Sequence, residues 1–501
     1  MAEDFAINVD FAVLRREDGS PRTLLAWGDR VRVLDRTTTK VEVEVTDFKE
    51  QPDGSIRPVA ASGFLKRRLR VDGANRQVAL PEDEVHVLQV AFVDVQQGDG
   101  ALVQTPSGKL ITIDGGENQL FARFLAGRLR GTSAAARRPI DAVVVTHGDA
   151  DHFAGLSRIR QSETEEGLAD HKRLFIHPER VFHNGLVKRP DSVPELERLG
   201  PTKKAGGRTI LTGLHDNPLD VPASGMNRHF KAWRKALEGW QAAGPIEFRR
   251  LARGTDDAFD FLAEDGIAVE VLGPLETQAG NVSGLAFLAE PKEGKPLAHL
   301  DFEPGFLSAS HTINGHSVVL RLQFGNVRML FAGDLNNAAE EALLAEHTAG
   351  RIDLESEVLK VPHHGSHEFT PGFLAAVSPV VSVVSSGDET SRTEYIHPRA
   401  TLMSALGRHA RGDASVVFVT EMVAFFEMAG LVTPSAEPKP GQATARPFFG
   451  FRRTAFGLIR VRTDGERLLV FSDTGKRDVK EAYVYDVPPA GQPRPSSLRR
   501  A

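Results

Sequence analysis

Ten consecutive residues read Val143-Val144-Val145-Thr146-His147-Gly148-Asp149-Ala150-Asp151-His152, an apolar β-branched run followed by two histidines and two carboxylates. The run predicts a buried strand, and the polar residues predict a turn at its C-terminal end, just before a helix. Imidazole nitrogens and carboxylate oxygens are the usual ligands of a catalytic zinc ion. A turn that only capped the helix would need one acidic residue, so this group favours a metal site.

Five further blocks of similar character lie in order along the chain. They are Phe92-Val93-Asp94-Val95-Gln96-Gln97-Gly98-Asp99-Gly100, Ile111-Thr112-Ile113-Asp114-Gly115-Gly116, Asn314-Gly315-His316-Ser317-Val318-Val319-Leu320, Leu330-Phe331-Ala332-Gly333-Asp334 and Lys360-Val361-Pro362-His363-His364-Gly365-Ser366. Together with residues 143–152 they resemble the metallo-β-lactamase superfamily. Asp149 stands where most members have histidine, which resembles the branch formed by the hydrolase domain of ComEC competence proteins and by related phosphorylcholine esterases.

The resemblance implies an α/β fold in which two β-sheets are sandwiched between helices (αββα), with metals at one edge. The strands that alternate with helical patterns after Val85 agree with this class. Before them, short strands alternate apolar and polar residues, and residues 28–34 resemble a strand of bacterial SH3-like domains. We predict an SH3-like β domain over residues 1–82, a hydrolase domain over 83–480 with an insertion at about 184–303, and a disordered tail over 481–501.

The resemblance also implies a site for two metal ions. A hairpin predicted about Gly325-Asn326 ends its second strand at Asp334, where the superfamily has the carboxylate that bridges both metals. His311 and His316 are alternatives to His183 as the last histidine ligand. The candidate metal ligands are His147, Asp149, Asp151, His152, His183, Asp334 and His364.

Asp151, His363 and His397 are the candidate catalytic residues. Asp151 would both bind metal and steer the hydroxide nucleophile. His363 would orient His364 or contact the substrate, and His397 would be either a metal ligand or the general acid for the leaving group. We expect Asp114 to hold the ligand loop as a hydrogen-bond acceptor instead of binding metal.

The implied cofactor is Zn²⁺, with two ions, and the extra oxygen ligand at Asp149 makes Mn²⁺ an alternative. Zinc lowers the pKa of bound water to about 7. The predicted activity is that of a phosphodiesterase acting on a phosphoester, with nucleic acid among the candidate substrates. A hydrolase of lactones or other carboxylic esters is the alternative enzyme. An inactive adaptor, binding a protein or peptide through the SH3-like domain, is the alternative from another class.

Composition sets outer bounds. The 501 residues carry a net charge of -6, so the chain is not basic overall, and the lack of cysteine excludes disulfides and thiolate ligands. We predict no signal peptide and no membrane span, hence a cytoplasmic protein. Residues 227–242 predict an amphipathic helix, whose basic face either lies in solvent or covers an anionic substrate as a lid.

Overall fold

The computed structural model describes residues 3–50, 56–71, 73–291, 304–387, 397–412, 415–423, 425–432, 448–455, 457–473 and 481–501. Within them, two β-sheets face each other and helices cover both outer faces. This order of layers confirms the predicted αββα sandwich. The predicted ends of the insertion (303) and of the hydrolase domain (480) lie outside the described residues.

The N-terminal region is all β, as the alternating pattern predicts. Along β4, for example, Val31 and Val33 are buried while Arg30 and Arg32 are exposed. Seven of its strands form one sheet in the order β3-β2-β6-β5-β4-β1-β9. The assignment of this region to the SH3-like class stays a prediction. Its strands are Glu3–Ile7 (β1), Phe11–Arg15 (β2), Pro21–Ala26 (β3), Arg30–Arg36 (β4), Lys40–Glu50 (β5), Ile56–Lys66 (β6), Arg68–Val71 (β7), Ala74–Gln77 (β8) and Ala79–Pro81 (β9).

The first half of the sandwich follows. Its buried strand β14 lies between β12 and β16, parallel to both, so the polar residues after β14 emerge at the C-terminal edge of this sheet. The elements are Leu88–Val93 (β10), Gly100–Gln104 (β11), Leu110–Asp114 (β12), Leu120–Arg128 (α1), Arg138–Ile140 (β13), Ala142–Val145 (β14), Ala150–Ser162 (α2), Ile176–Pro178 (β15) and Arg180–His183 (β16).

The segment predicted as an insertion is partly built into the sandwich. Its helix α3 agrees with the predicted residues 227–242, and Phe230, Trp233 and Trp240 are buried on one side. However, β19 joins the first sheet and β20 joins the second. The elements are Thr202–Ala205 (β17), Arg208–Leu211 (β18), Arg228–Gln241 (α3), Glu247–Arg250 (β19), Ile267–Gly273 (β20), Thr277–Ala279 (β21), Val282–Ala286 (β22), Ala289–Pro291 (β23) and Pro304–Leu307 (β24).

The second sheet has the order β20-β25-β26-β27-β28-β29. The predicted hairpin is present, with Phe324 opposite Val327, and β26, β27 and β28 run parallel. Its elements are Ala309–Gly315 (α4), Val319–Phe324 (β25), Val327–Phe331 (β26), Asn337–Thr348 (α5), Val358–Lys360 (β27), Pro371–Val377 (α6), Val381–Val384 (β28), Ala400–His409 (α7) and Val416–Val419 (β29).

The remaining strands are Phe425–Val432 (β30), Phe448–Ala455 (β31), Leu458–Thr463 (β32), Arg467–Asp473 (β33), Ala482–Asp486 (β34) and Arg494–Pro495 (β35). Strands β32 to β35 extend the first sheet beyond β10, giving the order β19-β16-β14-β12-β11-β10-β32-β33-β34-β35. The segment that we predicted as a disordered tail therefore contributes two strands.

That segment also reaches the N-terminal region. The backbone N–H of Phe11 donates to Arg499 O (3.1 Å), and that of Ala501 donates to Phe11 O (2.9 Å). Beneath them, the buried Arg467 guanidinium lies 2.8 Å from a carboxylate oxygen of Asp10. Its proline- and arginine-rich composition indicated disorder, but these residues obtain their backbone partners from β2, which composition alone does not show. Among the described residues, no helix combines the length and apolarity that crossing a bilayer requires.

Glu340 on α5 offers a pH-dependent test of this packing. Burial raises the pKa of its carboxyl to about 8, and Glu341 and Glu368 add to the effect. The unfolded chain ionises near its usual value, so the folded state keeps a proton that the unfolded state loses. We expect Glu340 to lower stability as pH rises from about 5 to about 8, by up to about 1.4 kcal/mol per pH unit.

The variant Glu340→Gln stays neutral and should lose this contribution. Its melting temperature relative to the unsubstituted protein should therefore increase steadily over that pH window. Glu166→Gln is the control and should show no such trend, because Glu166 is exposed and is not among the residues that shift the pKa of Glu340. A difference for Glu340→Gln that does not change with pH would contradict the buried, protonated carboxyl.

Candidate metal centre

The loop after β14 is held tightly between neighbouring elements. A Cβ at Gly148 would lie 2.5 Å from the ring of Phe230, so only glycine lets α3 approach this closely. On the other side, a Cβ at Gly98 would lie 1.9 Å from the carbonyl oxygen of Asp151, and Gly98 itself has a φ of 113°. Residues 92–100 and 143–152, separate in sequence, thus pack against each other here.

Asp114, at the end of β12, accepts hydrogen bonds from the loop that follows β14. One carboxylate oxygen accepts from the backbone N–H of Thr146 (2.8 Å), and the other accepts from the Thr146 hydroxyl (2.6 Å). That second oxygen is also 2.8 Å from Nδ1 of His152. Because Nδ1 is engaged with a carboxylate, Nε2 of His152 is left to face the centre of the site. These contacts agree with the expectation that Asp114 holds the ligand loop as a hydrogen-bond acceptor.

The second sheet supplies the facing residues. Asp334 follows β26, and its backbone N–H donates to the Ser317 hydroxyl (3.1 Å). His364 follows β27 in a short 3₁₀ turn, Pro362–Gly365, where its φ of 53° places it in the left-handed region. Its Nδ1 lies 3.1 Å from the carbonyl oxygen of Ser385, so its Nε2 also faces the centre.

Five of the predicted ligands come together at this edge. We call His147, Asp151, His152, Asp334 and His364 the central cluster. Asp334 lies at the centre of this cluster. One of its carboxylate oxygens is 3.2 Å from Nε2 of His152, and the other is 3.1 Å from Nε2 of His364 and 4.0 Å from Nε2 of His147. A carboxylate oxygen of Asp151 is 3.3 Å from Nε2 of His364.

The central cluster fits a metal ion. The Nε2 atoms of His147, His152 and His364 are buried and make no hydrogen bond, which is costly for polar atoms unless another partner binds them. Burial alone would raise the pKa of Asp334, but His152 and His364 hold it well below its usual value. Ionised carboxylates and unpaired imidazole nitrogens that point at one another form a donor set suited to Zn²⁺.

The other predicted ligands are placed differently. Both ring nitrogens of His183 face backbone atoms, Nε2 at 2.9 Å from Asp216 O and Nδ1 at 3.0 Å from the amide of Gly185. His316 is similar, with Nε2 2.7 Å from Ala286 O. The predicted ligand role of His183, and its alternative at His316, stay predictions that these contacts do not favour.

Asp149 lies beside the central cluster, turned toward other partners. One carboxylate oxygen is 2.6 Å from Nζ of Lys188. The Asn314 side chain, oriented so that its amide nitrogen also donates to Ser310 O, donates to the other oxygen at 3.0 Å. The ligand role that we predicted for Asp149 is not tested by these contacts, which occupy both of its oxygens.

The two remaining catalytic candidates stand at the same edge. His363 has a buried Nδ1 without a hydrogen bond, and its ring centroid lies 6.1 Å from that of His364 and 6.3 Å from that of His397. Burial, with His364 and His363, lowers the pKa of His397 to about 3. A neutral imidazole favours the ligand role of His397 over the general-acid role, and both stay predictions.

Two residues close to the central cluster, Asp99 and Lys360, were not predicted from the sequence. Asp99 approaches His152 (3.8 Å) and His364 (3.4 Å) from their Nδ1 sides, and the buried ammonium of Lys360 forms an ion pair with it. Donor atoms of Asp99, His152, Asp334 and His364 can all lie within 4.8 Å of one another. We nevertheless assign Asp99 to support, because it faces the Nδ1 side of both rings. Asp99 lies in the sequence block 92–100 and Lys360 in the block 360–366. Their membership of these blocks is the signal that could have identified them.

Comparisons with known proteins agree with this geometry. Residues 93–224 match the model of the metallo-beta-lactamase superfamily. A 97-residue stretch is 38% identical to the competence protein ComA of Neisseria gonorrhoeae; it covers 19% of this chain and 13% of that protein. The superfamily domain and the buried donor set together support a metal-dependent hydrolase.

Asp114 gives a direct test of the centre. Replacing it by asparagine removes the charged acceptor behind His152, and loss of such a partner lowers metal affinity by about 10–100-fold. We expect this loss for Zn²⁺ in competition with a chromophoric chelator. Asp170→Asn, at an aspartate whose side chain is 69% exposed, is the control. Unchanged affinity in Asp114→Asn would mean that His152 does not bind the metal.

Proposed function

This chain carries a metallo-β-lactamase domain of the ComEC-like branch, and we propose that it is a metal-dependent phosphodiesterase. One observation carries the proposal: the buried Nε2 atoms of His147, His152 and His364 converge on Asp334 without any hydrogen bond. A metal ion held there would lower the pKa of water and so supply a nucleophile at neutral pH.

Asp151 is the residue best placed to handle that nucleophile. Its side chain is 22% exposed, whereas those of Asp334 and His364 are 4% and 1% exposed. It therefore stands where the buried cluster meets solvent and substrate. Burial alone would raise the pKa of Asp151, but His152 and His364 hold it below its usual value. The ionised carboxylate can therefore accept a hydrogen bond from the attacking water and fix its direction.

Cations around Asp151 favour an anionic substrate. His229, at the start of α3, has a lowered pKa because of burial and of the nearby charges of Arg228, Arg158 and Lys188. Asp151 acts on the same histidine in the opposite direction, so Arg158 and Arg228 lie in the same region as Asp151, whereas Lys188 is already paired with Asp149. The negatively charged oxygens of a phosphodiester gain from such surroundings, whereas a neutral lactone or carboxylic ester gains little.

The test is hydrolysis of bis(p-nitrophenyl) phosphate by purified protein loaded with Zn²⁺ or Mn²⁺. We expect metal-dependent turnover that falls by about 10²–10⁴-fold in Asp151→Asn, because the carboxylate that positions the attacking water and belongs to the donor set of the metal is lost. Asp170→Asn is again the control. p-Nitrophenyl butyrate, a neutral carboxylic ester, is assayed in parallel.

Four outcomes would count against the proposal or against the role of Asp151. Faster cleavage of the butyrate ester than of the phosphodiester would indicate a carboxylic ester hydrolase. Bound metal with no turnover of either ester, or neither metal nor turnover, would favour the adaptor, with the N-terminal β region as its binding module. Full activity in Asp151→Asn would remove that residue from the reaction.

The α3 helix offers a further test, of nucleic acid as the substrate. Arg234 is unsuited to it, because its guanidinium donates to the carbonyl oxygens of Leu219 (2.5 Å) and Val221 (2.6 Å) and is engaged in packing. Lys231 and Lys235 are exposed on the same helix.

We expect the double variant Lys231→Glu/Lys235→Glu to cleave single-stranded DNA more slowly and to hydrolyse bis(p-nitrophenyl) phosphate normally. The reason is that contacts with phosphates along the strand add affinity that a small diester cannot use. The double variant Lys203→Glu/Arg208→Glu, at exposed residues of β17 and β18, makes the same change in net charge and is the control. Equal loss on both substrates would contradict a role of α3 in binding nucleic acid.

A further inference from the structure

The surroundings of Asp149 depart from those of the other carboxylates at this edge. Both its oxygens have partners within the chain, Lys188 Nζ at 2.6 Å and the Asn314 amide at 3.0 Å. In the central cluster, by contrast, Asp334 and Asp151 lie against imidazole nitrogens that have no hydrogen bond. Asp149 is thus already neutralised by an ammonium.

Lys188 is itself held in place from two sides. Its Nζ lies 3.2 Å from the hydroxyl of Ser310 on α4, and its carbonyl oxygen accepts the backbone N–H of Asn227 (2.9 Å), the residue that caps α3. Its side chain is only 15% exposed. The Lys188–Asp149 pair therefore joins the starts of α2, α3 and α4, and it is not a loose surface contact.

This pair makes the two expected metal positions unequal. The position at His152, His364, Asp334 and Asp151 has all its donors turned inward. Among the ligands predicted for the other position, Asp149 faces Lys188 and both ring nitrogens of His183 face backbone atoms, whereas His147 and the shared Asp334 keep donor atoms turned toward the cluster. A second dication there would also meet the charge of the Lys188 ammonium.

We propose that the Lys188 ammonium supplies, beside Asp149, the positive charge that a second metal ion would otherwise supply. One metal then binds tightly, and another binds only by displacing this lysine. The inference rests on the proposed function, since it assumes that the central cluster binds metal. It departs from the two equivalent ions that the resemblance implied, and it makes Lys188 a positioning residue that controls metal number.

The experiment is a titration of the full chain with Zn²⁺ and with Mn²⁺. Calorimetry measures the binding, and native mass spectrometry counts the bound ions. The unsubstituted protein should bind one equivalent tightly and a second at least about tenfold more weakly, in the range expected for loss of a supporting partner. In Lys188→Met, Asp149 is released, and two equivalents should bind with affinities within about tenfold of each other.

Two further variants isolate the cause. The double variant Lys188→Met/Asp149→Asn should return to one tight equivalent, because the released carboxylate is gone. Lys188→Arg keeps the charge and should also bind one. Lys203→Met, at an exposed lysine, should behave as the unsubstituted protein does. Thermal shifts with and without metal verify that each variant folds.

The outcomes separate this inference from the proposed function. Two equally tight metals in the unsubstituted protein, or one metal in Lys188→Met, would overturn the role of Lys188 while leaving phosphodiester hydrolysis intact. Absence of metal binding in every variant would overturn both. One metal in the unsubstituted protein and two in Lys188→Met, without turnover of any phosphodiester, would support the inference and reject the activity.

Discussion

Carboxylates and imidazoles buried side by side, with nitrogens that make no hydrogen bond, are unfavourable unless a cation joins them. The central cluster is built on this constraint. Asp334 lies between Nε2 of His152 and Nε2 of His364, and although burial alone would raise its pKa, these imidazoles hold it well below the usual value. The metal that the site fits would replace protons on those imidazoles as the source of positive charge.

The two sheets together supply the residues of the central cluster. In one sheet, His147 follows β14 and His152 lies in the first turn of α2. In the other, Asp334 follows β26 and His364 follows β27. Around them, Asp114 fixes His152, and the Asp99–Lys360 pair stands behind both rings. Such supporting carboxylates orient ligands and set their basicity, so the site depends on residues that need not touch the metal.

Local signals in the sequence predicted much of this arrangement. The apolar run 143–145 with its polar end, and the hairpin before Asp334, are patterns that short-range physics imposes, and both were confirmed in the fold. The partners of Asp149 and His183 were not predictable, because Lys188, Asn314 and Asp216 approach only through long-range packing. The C-terminal strands were missed for the same reason: β34 obtains its backbone partners from β33, and residues 499–501 obtain theirs from β2.

The most direct measurement is anomalous X-ray diffraction at the absorption edge of the bound metal, on crystals grown with one equivalent of Zn²⁺. The account predicts one strong peak at bonding distance, about 2.0–2.2 Å, from Nε2 of His152, Nε2 of His364 and an oxygen of Asp334. A peak at His183 or His316 instead, or none at saturating metal, would contradict a catalytic metal centre at this edge of the sandwich.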